Sequence, residues 1–142
     1  MNSQPNSKTR ISIEICKIED LISQTLTKIE GAKQKSREIT FTATNGKSWV
    51  MNHPQDCCEY VDLEDVCGDI KDLIGSPILI AECITSRENP PNITINLADQ
   101  DSFTWTFYKL ATIKGSVTFR WYGESNGYYS EEVDFYEVHK GK

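Results

Sequence analysis

Long apolar runs are missing from this chain. No stretch approaches the roughly 18 consecutive apolar residues that a membrane-spanning helix needs, so no membrane partner is expected. Met1 to Arg10 is polar and lacks the apolar core of a signal peptide. Positive charge is short as well: 15 Lys and Arg face 21 Asp and Glu, for a net charge of −6. Such a surface repels phosphates and gains nothing from counterion release, which argues against nucleic acid as a partner. The plain use of the charge is solubility. The sequence also lacks a P-loop, a Gly-x-Gly-x-x-Gly, a serine nucleophile elbow and a His-Glu-x-x-His. These absences point away from an enzyme and from a cofactor.

Cysteine is present but badly arranged for bridges. There are five, Cys16, Cys57, Cys58, Cys67 and Cys83, an odd number with two adjacent. Bridge geometry is demanding for neighbours in sequence. The expectation is free thiols in a reducing, cytoplasmic compartment. On that reading the glycosylation-type string Asn92-Ile93-Thr94 is accidental.

What is there suffices for one folded unit. The chain has 142 residues, 38% of them hydrophobic, with 3 Trp, 6 Tyr and 5 Phe, which argues against disorder. We expect a polar tail over 1–10 and a single α+β domain over 11–142. Its main elements should be antiparallel β-hairpins and a meander packed with one or two short helices. Ile11 to Ile18 alternates like a strand, and Glu19 to Ser23 suits a helical turn. Ile39, Phe41 and Ala43 share a strand face before Asn45-Gly46, the strongest short hairpin signal. Leu63, Val66, Cys67, Ile70 and Ile74 follow helical spacing, with Asp62 as cap, Gly75 as stop and Gly68 as a break before a second cap at Asp69. Asp62, Glu64, Asp65, Asp69 and Asp72 would give this helix a solvated acidic face. Pro77 to Ile84 reads as a strand, and Ser102 to Val138 as a meander. In it Phe103, Trp105 and Phe107 share one face, and Val117, Phe119 and Trp121 another.

A weak internal repeat runs through these elements. Asp20 to Leu26 resembles Asp72 to Ile78, and each is followed by a strand ending in Glu30 or Glu82. A glycine-turned hairpin comes next, at Gly46 or Gly115, then a polar loop holding a doubled residue. The loops are Gln55-Asp56-Cys57-Cys58-Glu59 and Asn126-Gly127-Tyr128-Tyr129-Ser130-Glu131. Chance likeness of short amphipathic elements is the competing account. If the repeat holds, the loops occupy equivalent places and meet at a pseudo-twofold axis.

Those loops hold the candidate site. His53 with Cys57 or Cys58 offers a start for zinc, but structural zinc wants four ligands and no second pair exists, so no metal is expected. A nucleophilic cysteine would need a base and an orienting partner; His53 could reach Cys57, on spacing alone. The plainer reading makes both cysteines small buried residues at a loop-to-helix junction. In the second loop Asn126-Gly127 demands a tight turn. Trp121, Tyr122, Tyr128 and Tyr129 offer flat faces with polar tips for stacking on a ligand or a protein. Arg120 lies on the face opposite Val117, Phe119 and Trp121, placed to pair with Glu124 or Glu131 or to hold an anion. The candidate binding set is Gln55, Asp56, Glu59, Arg120, Trp121, Tyr122, Asn126, Tyr128 and Tyr129.

Residues His53 to Leu79 (HPQDCCEYVDLEDVCGDIKDLIGSPIL) and Phe103 to Phe135 (with RWYGESNGYYSEEVDF) resemble a small domain family of unknown function from phages, prophages and bacteria. The QDCCE and SNGYYSE strings carry the resemblance, which covers most of residues 36–138; the extension before about Lys17 departs from it. It implies a phage-type protein in a bacterial host cytoplasm and transfers no mechanism. The function expected is a non-catalytic binder of a small polar, nucleotide-like ligand, such as a host defence signal to be sequestered. The alternatives are an acidic inhibitor that imitates nucleic acid to dock on a host protein, and a cysteine- or metal-dependent enzyme. A homo-oligomer stays open.

Overall fold

The structure is a computed structural model that describes residues 11–15, 17–91 and 101–140. The expected tail over 1–10, Cys16 and the Asn92-Ile93-Thr94 string lie outside the described residues. Among the described residues, nine strands form two antiparallel sheets. The strands are β1 (Ile11–Ile15), β2 (Leu26–Glu30), β3 (Glu38–Ala43), β4 (Ser48–Asn52), β5 (Tyr60–Cys67), β6 (Ile80–Ser86), β7 (Ser102–Thr112), β8 (Gly115–Ser125) and β9 (Asp134–Lys140). Two 3-10 turns, Ile18–Leu21 and Ile70–Leu73, precede β2 and β6. Among the described residues no helix is long and apolar enough to cross a membrane.

Sheet one runs β1-β9-β4-β3-β2 and sheet two β5-β8-β7-β6. In each, three sequential strands pair as neighbours and a fourth arrives from elsewhere in the chain. β5 leaves sheet one to pair with β8, and β9 leaves sheet two to pair with β4. The meander expected over 102–138 therefore breaks after β8: its last strand sits in the other sheet. Setting β1 aside, the orders β9-β4-β3-β2 and β5-β8-β7-β6 have the same form. The turns before β2 and β6 are also joined reciprocally. Ser23 N–H donates to Ile78 O, and Gly75 N–H donates to Leu26 O. Ser23 and Gly75 both hold positive φ, 78° and 86°.

The core fills the space between the sheets. Phe41, Trp49 and Met51 from sheet one meet Leu63, Val117, Phe119 and Trp121 from sheet two, all fully or almost fully buried. Phe119 and Phe135 present edges to Phe41 at 5.8 and 6.1 Å, the geometry aromatic quadrupoles favour. The alternation that assigned Val117, Phe119 and Trp121 to one face holds. On the outer face of sheet two, Trp105 stacks with Phe107 and packs tilted against Tyr122.

Two expectations fail here. The helix over 62–74 is absent. Residues 60–67 are strand β5, and only Ile70–Leu73 forms a 3-10 turn, capped by Asp69 accepting from Lys71 N–H. The cause is a bulge in β5 between Leu63 and Asp65. It stretches the two-residue alternation of Val61 and Leu63 to a three-residue step before Val66, which imitates helical spacing. The acidic residues are accordingly dispersed, and Asp62 is buried. What stands is a domain rich in antiparallel sheet with two short helical turns.

Candidate functional site

The chain crosses between sheets twice, over 53–59 and over 126–133. Each crossover starts beside the strand that the other one delivers. Asn52 at the end of β4 pairs with Asp134 at the start of β9, and Glu124 in β8 pairs with Tyr60 at the start of β5. The crossovers thus pass each other in contact. A Cβ added to Gly123 would lie 2.8 Å from Glu131 O and 3.0 Å from Val61, so only glycine admits the second crossover here.

Each crossover is folded around a buried glutamate that bonds the residue six positions earlier. In the first, His53 Nε2 lies 2.6 Å from Glu59 Oε2, and both side chains are almost wholly inaccessible. The other ring nitrogen, Nδ1, lies 2.6 Å from Glu132 O on the second crossover. The imidazole therefore bridges the carboxylate of its own crossover and a backbone carbonyl, which can only accept, of the other. Asp56 and Cys57 donate their backbone N–H groups to the same carboxylate at 2.8 and 2.9 Å. The His53 contact first, then these backbone donors, hold the Glu59 carboxyl down at about 2 against the opposing pull of burial. Gln55 closes the turn by donating to Glu59 O at 2.8 Å.

In the second crossover the partner is a hydroxyl. Ser125 Oγ donates to Glu131 Oε2 at 2.5 Å, and Thr104 Oγ1 donates to Oε1 at 2.8 Å. Ser125 Oγ in turn accepts Gly127 N–H at 3.0 Å, and Asn126 Oδ1 accepts Tyr128 N–H at 3.1 Å. Tyr108 donates its buried hydroxyl to Val133 O at 2.6 Å. The loop tip is hydrogen-bonded from below and open above: Tyr128 is 87% exposed.

Beside this tip lies a cleft of about 680 Å³. One wall is the end of β6 (Thr85, Ser86) with Arg87; the opposite wall is Tyr129 and Ser130; Ser102 and Thr104 of β7 form the floor. A smaller cleft of about 390 Å³ lies against β5 and β8, between Tyr60, Asp62, Glu64, Tyr122 and the 34–35 loop.

The candidate residues fall into three places. Asn126, Tyr128 and Tyr129 share the second crossover, and Tyr129 lines the large cleft. Gln55 and Asp56 are exposed on the first crossover, with Glu59 buried beneath them. Arg120, Trp121 and Tyr122 belong to β8. Trp121 is fully buried with its indole N–H toward Met51 sulfur at 3.2 Å. Tyr122 is buried on the outer face and donates to Glu124 at 2.7 Å. Arg120 does not reach Glu124 or Glu131. Its Nε donates to Glu64 at 2.6 Å, Asp65 lies 3.9 Å away, and the guanidinium packs over Trp105. The bulge explains the change of partner, because it sets Asp65 directly across from Arg120.

The thiol expectation also needs correction. Cys57 and Cys58 are bonded to each other, and they are exposed rather than buried. Cys67 and Cys83 are free, as expected. The two partners that sequence reasoning gave no role as anchors, His53 and Ser125, had one shared signal: each stands six residues before a glutamate that opens a repeated string. Those strings are Glu59-Tyr60-Val61-Asp62 and Glu131-Glu132-Val133-Asp134.

Residues 19–135 match the family described as Domain of unknown function (DUF7448). No curated protein and no solved structure matches the chain.

Proposed function

We propose, for a chain that belongs to the DUF7448 family, that it is a non-catalytic binder holding a small polar, nucleotide-like ligand in the cleft beside the second crossover. The carrying observation is that cleft, about 680 Å³ with Tyr129 and Arg87 on facing walls. Tyr129 supplies an aromatic face for a base and Arg87 a cation for one anionic group. Hydroxyls of Thr85, Ser86, Ser102 and Ser130 supply directional hydrogen bonds. Arg87 is the only cation among the described lining residues, and Glu131 and Glu132 line the cleft as well, which favours a ligand with at most one anionic group over a triphosphate. The non-catalytic reading is supported by His53, the best base in the sequence, having both ring nitrogens committed to acceptors. In a phage setting within a bacterial cytoplasm, such a binder would remove a host defence signal by sequestration.

The same reading takes the two halves as copies of one unit about a pseudo-twofold axis. The matched strand orders and the reciprocal Ser23–Ile78 and Gly75–Leu26 bonds support it. An experimental structure whose halves superpose with opposed strand directions would remove it.

The test of function is a thermal-shift and calorimetric screen against nucleosides, nucleoside monophosphates and cyclic mono- and dinucleotides. A ligand at about a hundred times its Kd adds roughly 2.7 kcal/mol to stability. Tyr129→Ala with Arg87→Ala should abolish that gain while the protein stays folded. A second reading, docking on a host protein, draws on Tyr128, whose 87% exposure on a hydrogen-bonded tip suits an aromatic anchor. It predicts no response to the screen and loss of host-protein capture on Tyr128→Ala.

A further inference from the structure

Cys57 and Cys58 are bonded to each other and exposed on the first crossover, while Cys67 and Cys83 are free. A bridge between adjacent residues closes a small ring that contains their own peptide bond. Making or breaking it changes the freedom of the unfolded chain little, but it acts directly on the backbone of the two residues. Here that backbone is in use. Cys57 N–H donates to Glu59 Oε1 at 2.9 Å, and Cys57 O accepts from Gln55 Nε2 at 3.3 Å.

From Cys57 the contacts run on without a gap. Glu59 Oε2 lies 2.6 Å from His53 Nε2, and His53 Nδ1 lies 2.6 Å from Glu132 O. The His53 and Glu59 side chains are almost wholly inaccessible, so neither can exchange a lost partner for water. Glu132 lines the cleft of about 680 Å³ together with Ser130 and Glu131. An exposed pair of sulfurs at one end and the cleft wall at the other are thus joined through buried polar groups that have no slack between them.

We propose that Cys57–Cys58 is a site of reversible thiol–disulfide exchange with a dithiol, and that its state sets the Glu132 wall of the cleft. The proposal rests on the ligand reading above only for what the cleft holds. A thiolate of the dithiol attacks one exposed sulfur, the S–S bond breaks, and the released cysteine takes up a proton. The second thiol of the dithiol then attacks the mixed disulfide and releases the other cysteine as a thiol. The protein gains both electrons and both protons, and the dithiol leaves as its disulfide. Opening the ring frees the Cys57 peptide from the turn. Glu59 loses that donor, and His53 follows the carboxylate away from Glu132 O. The bridged chain is therefore the one that holds ligand tightly.

The test uses the full chain with dithiothreitol as the dithiol. Differential alkylation read by mass spectrometry should show the pair bridged, opened by dithiothreitol, and bridged again on its removal. Amide hydrogen exchange then reads the second crossover, where Gly127, Tyr128 and Glu132 donate to Ser125, Asn126 and Ser130. These amides should exchange at least about fivefold faster in the reduced chain, the low end of coupling between sites. Ala43, which donates to Lys47 O in the β3–β4 hairpin, should not change. Cys57→Ser with Cys58→Ser should show the fast rates with or without dithiothreitol. Glu59→Gln should let the pair open while the second crossover no longer responds. Any nucleotide found by the thermal-shift screen should bind the reduced chain at least about fivefold more weakly. A pair that dithiothreitol does not open overturns the proposal. So does a pair that opens with the 127–132 amides unmoved, or a serine pair that keeps the slow rates. A screen that finds no nucleotide removes the ligand reading alone, and the amide response still decides this one.

Discussion

The two crossovers do the same job with different chemistry. Both carry the chain from one sheet to the other, both bury a glutamate, and both bond it to the residue six positions earlier. The first uses an imidazole and two backbone N–H groups, and its histidine reaches across to the second crossover at Glu132 O. The second uses two hydroxyls, from Ser125 and Thr104. One anchor is therefore an imidazole that joins the two crossovers, while the other is a pair of hydroxyl donors from sheet two. The difference teaches which loop is the structural lock and which is free to vary at its tip. The first crossover spends its polar groups on its own glutamate, whereas the second leaves Tyr128 exposed and Tyr129 on a cleft.

Substitutions can break the comparison. His53→Ala should be the most damaging change in either crossover, because it strips a buried carboxylate and a buried carbonyl of their donor at once. Urea midpoints should place its loss clearly above that of Ser125→Ala, and equal losses would mean that the imidazole link between the crossovers adds nothing. Acid should produce the next largest effect. The Glu59 carboxyl is held at about 2 when folded, below its ordinary 4.5. Its stabilising contribution is therefore complete above 4.5 and drains away as pH falls toward about 2. Glu59→Gln should flatten that part of the stability profile; an unchanged slope would show that other carboxyls carry it. Ser125→Ala should cost about 1.5–3 kcal/mol, the range for a hydrogen bond to a charged group. Reduction of Cys57–Cys58 should move the melting temperature little, because a bridge between adjacent residues closes almost no loop in the unfolded chain. Melting with and without a phosphine reductant, alongside thiol counting by mass spectrometry, checks this. Least of all, Tyr128→Ala should change stability by less than about 0.5 kcal/mol, which separates the tip from its anchored base.

Local signals were readable where one strand or turn decides the outcome. Asn45-Gly46 turns the β3–β4 hairpin, with Gly46 at φ 88° and Asn45 Oδ1 accepting Lys47 N–H. Alternation placed Val117, Phe119 and Trp121 on one face, and that face is buried, so Trp121 offers no stacking surface to a ligand. Features set by pairing at a distance were not readable that way. The β5 bulge disguised a strand as a helix, and with the strand went the partners of Arg120. Strand exchange was hidden too, since a meander pattern says nothing about which neighbour its last strand chooses. Its trace was nevertheless present in the Glu-x-Val-Asp strings at the junctions into β5 and β9. His53 was weighed as a ligand or a base, and its actual place between Glu59 and Glu132 depends on the two crossovers meeting.

The exchange of β5 and β9 also sets the order in which the molecule can be made. During synthesis β4 emerges long before β9, yet Asn52 must wait for Asp134 and Val50 for Tyr136. β5 likewise waits for β8, with Tyr60 paired to Glu124. The hairpin of β3 and β4 can form early, but one flank stays unfilled until the distant strand arrives. Closing such separated pairs is slow, on the order of milliseconds to seconds for sheet-rich domains. On the ribosome neither sheet can be completed from the half of the chain that begins it, so a truncated product keeps an open strand edge for other chains to find.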